Sequence, residues 1–189
     1  MLCCYYVFEG YQFQKENLLL LAQSIQDNGL LNICAPSGLN MTIPSFSLFY
    51  VLAVIEYVEA TNDTSIIDYV GHVVNRILDT FKKAYDEEVG LIKITDKNMW
   101  NFYEWTNGSS DEEFFTNPDR NPKDNKDYDL ILNCLYLYVI KRGKKLFMLT
   151  FEDTFMRDKL KFTFERDGLL VLRANDAKQK VLTSVFGNS

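Results

Sequence analysis

Two kinds of helical segment alternate along this chain, and the alternation restricts its fold more than any other feature. Residues 2–8, 45–59 and 128–140 are apolar on nearly every side, as expected for helices surrounded by other elements. Residues 11–26 and 65–86 instead carry apolar side chains at every third or fourth position, which is typical of helices with one buried face. The alternation therefore predicts an inner layer and an outer layer of helices.

The spacing of apolar side chains also predicts which face of each amphipathic segment is buried. In the first segment the predicted buried residues are Phe13, Leu18, Leu21, Ala22 and Ile25. In the second segment they are Ile66, Val70, Val73, Val74, Ile77, Leu78 and Phe81. Each set falls on one side of a helix that has about 3.6 residues per turn.

The C-terminal third continues the pattern. After a short turn from Gly143 to Leu149, residues 151–165 are predicted to form an outer helix, and a last helix begins near Lys178. Inner and outer helices then make about three and a half hairpins, which predicts an all-α fold in the form of a partial (α/α)6 toroid. We expect residues 1–189 to form a single incomplete domain, because the hairpins do not close a ring of six.

A short glycine motif recurs after the amphipathic segments. Its copies lie at 27–31, 87–92 and 167–170, and each places a glycine before an apolar pair. Glycine suits the left-handed residue that ends many helices, and the apolar pair is predicted to re-enter the core in extended form. The long loops 29–44 and 90–126 follow these turns. We expect them to emerge at one end of the helices and to carry the functional residues.

Composition excludes several classes of function. The net charge of −6 and the pI near 4.9 argue against binding to nucleic acid or to an anionic membrane. No apolar stretch approaches the length of about 20 residues that spans a bilayer. Four cysteines without a C-x-x-C spacing and a single histidine, His72, predict no metal site and no cofactor. Reduced thiols and a cytoplasmic location are the expectation.

Four segments of the chain resemble segments of one enzyme family, and they occur in the same order as in that family. Residues 43–57, which begin Ile-Pro-Ser-Phe-Ser-Leu-Phe-Tyr, resemble an inner helix of the bacterial α-L-rhamnosidases with the six-hairpin fold. Residues 98–105, Asn-Met-Trp-Asn-Phe-Tyr-Glu-Trp, are similar to the tryptophan-rich loop of that family. Residues 27–37 are similar to its Asp-Gly-Leu turn, and residues 185–189 to the start of a later inner helix. The resemblance implies an α/α toroid, of which this chain is an internal fragment.

The family resemblance implies inverting hydrolysis of terminal α-L-rhamnosides by two carboxyl groups. One protonates the leaving oxygen and the other activates water, at a separation of ~6.5–9.5 Å. The two family motifs that carry these groups have no counterpart in this sequence. No catalytic residue is therefore assigned, and we expect the chain to be inactive alone.

The resemblance does imply a sugar-binding surface. Trp100, Glu104 and Trp105 are its candidate substrate-binding residues, because an indole stacks on the C–H face of a pyranose and a carboxylate accepts bonds from its hydroxyls. The family usually has Asp at the position of Glu104. Glu is longer by one methylene group, so its carboxylate reaches further than that of the family. The alternative for both tryptophans is that they fill the core of the toroid.

Other interpretations stay open on the sequence. The helices could form an interaction module that binds protein, or belong to another toroidal enzyme such as a lyase. We expect the open edges of the partial toroid to pair two copies in a homodimer. The segment 111–127 is rich in oxygen ligands, but it lacks the order of an EF-hand, and a solvated loop is favoured over a calcium site.

Overall fold

The computed structural model describes residues 10–94, 96, 99–104, 128–147, 160–164 and 170–174. Its helices are α1 (Gln12–Ala22), α2 (Pro44–Thr61), α3 (Ile66–Lys83) and α4 (Leu130–Phe147). Its strands are β1 (Tyr85–Asp86), β2 (Leu91–Ile92), β3 (Leu160–Phe164) and β4 (Leu170–Ala174). The predicted helices at 2–8 and after Lys178 lie outside the described residues. Across the described ranges, no helix is long and apolar enough to cross a membrane.

Helix α2 begins and ends where its sequence dictates. Ile43 is extended, and Pro44 occupies the first turn, where a missing N–H and a fixed φ are tolerated. The helix ends at Asn62, which adopts a left-handed conformation with φ of 57° and donates its N–H to the Val58 carbonyl. These limits agree with the segment predicted from its apolar residues.

The helices pack in the predicted two layers. Helix α2 lies beside α4 in the inner layer, while α1 packs against α3 in the outer layer, and both outer helices contact α2. All seven residues predicted for the buried face of α3 are buried. On α4, the Tyr136 ring lies 5.5 Å from the Phe81 ring of α3. The pairing of α2 with α4 and of α1 with α3 therefore agrees with the predicted layers.

A carboxylate fastens α1 to the turn between α2 and α3. Asp63 accepts hydrogen bonds from Lys15 Nζ at 2.8 Å and from the Tyr57 hydroxyl at 2.9 Å. It also accepts the Ser65 backbone N–H at 3.0 Å and so satisfies a donor at the start of α3. One side chain thus joins three helices at this end of the molecule.

The glycine motif adopts the predicted positive φ at its first two copies, but its predicted position at a helix end is wrong, because α1 ends at Ala22 and α3 at Lys83. Gly29 and Gly90 have φ of 83° and 78°, in the left-handed region. After Gly29 the chain turns back, and Leu31 bridges to Ile25. After Gly90, β2 pairs antiparallel with β1. Gly168 lies outside the described residues.

The all-α prediction is wrong in the C-terminal third. Residues 160–164, predicted as the end of a helix, form β3, which pairs antiparallel with β4. The sequence Leu-Lys-Phe-Thr-Phe alternates apolar and polar residues, and this period of two favours a strand. The described residues are mostly helical, with two antiparallel hairpins, β1–β2 and β3–β4. The predicted turn at 143–149 is also wrong up to Phe147, because α4 continues to that residue.

Two predictions about burial are also wrong. Phe13, predicted on the buried face of α1, exposes 63% of its surface, whereas its neighbour Gln14 is fully buried. The inner helices are not buried on every side, because Phe46 and Phe49 of α2 and Ile131 and Tyr138 of α4 are exposed. Apolar composition alone does not say whether a neighbour is present to cover each side of a helix.

Candidate functional site

Residues 99–104 lie across the N-terminal ends of the two inner helices. The backbone N–H of Trp100 donates to the backbone carbonyl of Thr42 at 2.9 Å, just before α2 begins. Ser45, in the first turn of α2, donates its hydroxyl to the Phe102 carbonyl at 3.1 Å. These two bonds fix the backbone of the tryptophan segment to α2.

The same segment is also fastened to α4. The Asn101 side-chain amide donates to the Asp129 carboxylate, whose other oxygen accepts the Leu132 N–H at 2.8 Å. Asp129 therefore caps α4 and binds the tryptophan segment at once. Both inner helices thus begin beside residues 99–104.

A polar pocket opens beside this segment. It has a volume of about 260 Å³ and is lined by Gln26, Asp27, Asn28, Asn40, Thr42 and Asp96. Every lining residue carries a side-chain amide, hydroxyl or carboxyl group. Amides donate and accept, while ionised carboxylates only accept, so the pocket suits a neutral ligand rich in hydroxyl groups.

The turn at Asp27 and Asn28, which lines the pocket, is held by Thr42 and by two side chains of α3. The Asn28 amide donates to the Thr42 hydroxyl at 3.2 Å and accepts the Leu30 N–H at 3.0 Å. On α3, Thr80 donates to the Asn28 carbonyl at 3.2 Å, and Arg76 donates to the Asp27 carbonyl at 3.2 Å. The turn after α1 is therefore held in position from both sides.

The three predicted sugar-binding residues have different surroundings. Trp100 exposes 6% of its surface, and its ring lies 4.5 Å from the ring of Phe102. Glu104 is exposed at the end of the segment. Trp105 lies outside the described residues, as does the segment 111–127 considered for calcium. Glu104 is thus open to solvent, whereas Trp100 is almost entirely buried.

The pocket residues were not predicted as a site. The Asp27-Asn28-Gly29 turn was recognised as a helix end, but nothing in the sequence indicates that it meets residues 40–42 and Asp96. That meeting depends on the bridges of Thr42 with Asn32 and with Met99, which are long-range contacts. The sequence offers one signal for this pocket, the short polar side chains in the two loops that contain Asn28 and Asn40.

Two tyrosines near the segment have altered acidity. Burial is the main reason why the pKa of Tyr103 is raised well above its usual value, so its hydroxyl stays protonated. Burial, helped by a hydrogen bond to Asp86, raises the pKa of Tyr128 to about 12. Among the residues that the structure describes, no group of three or more His, Cys, Asp or Glu side chains could hold a metal ion. His72 is exposed on α3.

The fold is similar to that of a solved glycoside hydrolase. A GH78 family rhamnosidase from Bacillus sp. GL1 matches this chain with a TM-score of 0.61 and 19% sequence identity. The match covers 82% of this chain and spans 15% of the length of the rhamnosidase chain. No protein-family model and no curated protein matches the sequence. The likeness therefore shows that the two chains share a fold over the matched segment.

Proposed function

We propose that this chain supplies part of the toroid and of the sugar-binding face of an α-L-rhamnosidase-like glycoside hydrolase. The observation that carries the proposal is the likeness of its fold to a GH78 family rhamnosidase over 82% of the chain. The order of sequence segments that resemble the rhamnosidases agrees with it. In the whole protein the toroid is closed and binds a terminal α-L-rhamnoside.

The chain contributes to binding in this proposal, and the catalytic carboxylates come from elsewhere in a longer protein. Inverting hydrolysis needs an acid and a base on opposite sides of the anomeric carbon. The sequence motifs that would supply them have no counterpart among residues 1–189. Removal of either group from an acid–base pair abolishes most of the rate, so this chain alone is inactive.

The polar pocket and the tryptophan segment form the proposed sugar contact. Amide groups of Asn28 and Asn40 can donate to and accept from ring hydroxyls, and the carboxylates of Asp27 and Asp96 can accept. The pocket volume of about 260 Å³ is slightly below the ~300–1,000 Å³ of pockets for drug-sized ligands. That size is appropriate for one monosaccharide.

The predicted sugar-binding residues have separate roles in this scheme. Glu104 offers a carboxylate at the end of the segment, and Trp105 directly after it offers the predicted stacking surface. Trp100, which is 6% exposed and packed against Phe102, holds the segment in place.

A binding measurement tests the proposed contact. Isothermal calorimetry with methyl α-L-rhamnoside should give a dissociation constant in the millimolar range, about −4 kcal/mol. Asn40→Ala should weaken binding at least tenfold, while Asn75→Ala, on the exposed side of α3, should leave it unchanged. Equal affinity of the wild-type chain and Asn40→Ala would remove the pocket from the proposal.

An activity measurement tests the claim that the catalytic pair lies elsewhere. The purified chain, incubated with an aryl α-L-rhamnoside, should release no aryl alcohol above the rate in buffer. Release that disappears on Asp27→Asn or Asp96→Asn would contradict the proposal, since it would place a catalytic carboxylate within this chain.

A further inference from the structure

Asp129 lies where helix α4 meets the tryptophan segment, residues 99–104. Its Oδ1 accepts the backbone N–H of Leu132 at 2.8 Å, and its Oδ2 accepts the side-chain amide of Asn101. Its backbone carbonyl accepts the Asn133 N–H at 3.1 Å and the Asn133 side-chain amide at 2.7 Å. Each carboxylate oxygen therefore has its own donor, one on the helix and one on the segment.

Alternate residues of the segment have different neighbours. Asn101 bonds to Asp129, and Tyr103 packs against the core with its hydroxyl close to the same carboxylate. Burial raises the pKa of Tyr103, and the charge of Asp129 raises it further. The rings of Trp100 and Phe102 pack on each other instead. Asp129 thus attaches the side of the segment formed by residues 101 and 103 to α4.

This attachment lies directly before the residues proposed to contact sugar. Glu104 follows Tyr103 and is exposed, and Trp105 comes next in the sequence. Two backbone groups of the segment bond to residues at the start of α2, while the Asn101 side chain bonds to Asp129 before α4. Attachment to two helices fixes the direction in which the chain leaves the segment, and fixed supporting bonds of this kind preorganise a binding surface.

We propose that Asp129 is a positioning residue for sugar binding, whose carboxylate holds the tryptophan segment so that Glu104 and Trp105 reach the ligand. The inference rests on the proposed function and deepens it, because it adds a residue outside the polar pocket to the same binding surface. A carboxylate suits this role because both of its oxygens accept. An amide in its place would set a donor against the donor of Asn101 or of Leu132.

Two single variants separate the attachment from the helix cap. Asp129→Asn keeps the shape of the side chain but opposes two donors, at the segment or at the helix. Asn101→Ala removes the bond to the segment and leaves Asp129 to cap α4 through Leu132. Both variants should loosen the segment, whereas a residue that served only as a cap would give this result for Asp129→Asn alone.

Tryptophan fluorescence reports on the segment without any ligand. The chain has two tryptophans, so a parent chain with Trp105→Phe leaves Trp100, which is 6% exposed, as the single emitter. In that parent, acrylamide should quench the fluorescence more strongly after Asp129→Asn or Asn101→Ala. Quenching equal to that of the parent in both variants would overturn the proposal, whether or not the chain binds sugar.

Exchange of the two partners should restore the attachment. In the double variant Asn101→Asp/Asp129→Asn, the amide at position 129 donates to the carboxylate at position 101 and accepts the Leu132 N–H. Quenching should return towards that of the parent. Asn101→Asp alone opposes two carboxylates and should leave the segment loose. A double variant that is quenched as strongly as Asp129→Asn would overturn the role of this hydrogen bond.

Calorimetry with methyl α-L-rhamnoside relates the segment to binding. With Trp105 present, Asp129→Asn and Asn101→Ala should each weaken binding about tenfold, equivalent to ~1.4 kcal/mol, and the double variant should recover most of the affinity. Unchanged affinity in both single variants would overturn the positioning role. An absence of binding by the wild-type chain would contradict the proposed function, whereas the quenching comparison decides the attachment by itself.

Asp68→Asn is the matched control. Asp68 is exposed in the first turn of α3, a helix of 18 residues like α4. It follows the turn at the C-terminal end of α2, whereas the segment lies at the N-terminal end. Its substitution removes the same charge from a helix N-terminus, so quenching and affinity should stay unchanged. Circular dichroism of each variant checks that it folds like the wild type.

Discussion

The side-chain amide of Asn133 pairs with both backbone groups of Ile92. It accepts the Ile92 N–H at 2.7 Å and donates to the Ile92 carbonyl at 2.9 Å. Asn133 and Ile92 are both fully buried. A residue of α4 thus acts as a strand neighbour for β2, and it connects the second glycine turn to the inner layer.

Substitution of Asn133 should therefore be costly. Asn133→Leu leaves a buried donor and a buried acceptor of Ile92 without partners, at ~1–3 kcal/mol each. Urea unfolding should show that the free energy of unfolding falls by about 2–6 kcal/mol. Asn75→Ala, on an exposed position of α3, should change stability little. Equal stability of the two variants would show that the Ile92 groups find other partners.

The substitution Gly29→Ala should destabilise the turn beside the pocket. Gly29 has φ of 83°, and a Cβ built there would lie 2.0 Å from Thr80 Oγ1. Left-handed backbone costs an L-residue ~1–2 kcal/mol, and the clash adds ~1–3 kcal/mol.

Gly10→Ala provides the matched control for this prediction. Gly10 has φ of 86°, but a Cβ there would meet no atom within 4 Å. Gly10→Ala should therefore lower the stability only by the cost of placing an L-residue in left-handed backbone. Thermal unfolding that gives both alanine variants the same stability would contradict the predicted contact with Thr80.

The stability of the chain should depend on the ionisation of Asp63. The hydrogen bond from Lys15 is the main reason why the pKa of Asp63 lies well below its usual range, and bonds from Ser65 and Tyr57 add to it. A folded-state pKa below the unfolded value of ~3.9 means that this stabilisation is complete above about pH 4. It is lost as the pH falls further towards the folded pKa.

The Asp63→Asn variant isolates this effect. Wild type should be more stable than the variant in urea at pH 7, and the difference should shrink at pH 3. The same difference at both pH values would indicate that the carboxylate charge contributes nothing. Glu16→Gln, an exposed change on the same helix as Lys15, serves as the control.

The two described cysteines should differ in reactivity. Burial raises the pKa of Cys134 to about 11, so at pH 8 only ~0.1% of its thiol is ionised. Cys34 is exposed. A short pulse of iodoacetamide followed by peptide mass spectrometry should label Cys34 well before Cys134. Equal labelling would mean that α4 opens readily around Cys134.

The sequence predicted the layers better than the site. The buried face of α3 followed from periodicity, because a helix with seven apolar residues on one side turns that side towards the core. Gly29 and Gly90 were predictable because few residues adopt positive φ. These features depend on neighbouring residues in the chain.

The wrong or missing predictions concern features that a short local pattern does not determine. The strand at 160–164 alternates over only five positions, and it was joined to the preceding segment as one helix. The pocket depends on the meeting of Asn28, Thr42 and Asp96, which no local pattern indicates. The exposure of Phe46 and Phe49 does not follow from the sequence, because an apolar helix has the same composition whether or not a neighbour covers each side.

The most direct test of the proposed function is to locate where a rhamnoside binds. The isotope-labelled chain would be titrated with methyl α-L-rhamnoside and, separately, with methyl α-D-glucoside while amide NMR shifts are recorded. The account predicts rhamnoside-specific shifts at Asn28, Asn40 and Thr42 and in the segment from Trp100 to Trp105. Shifts confined to the outer surfaces of α1 and α3, or none at all, would contradict it.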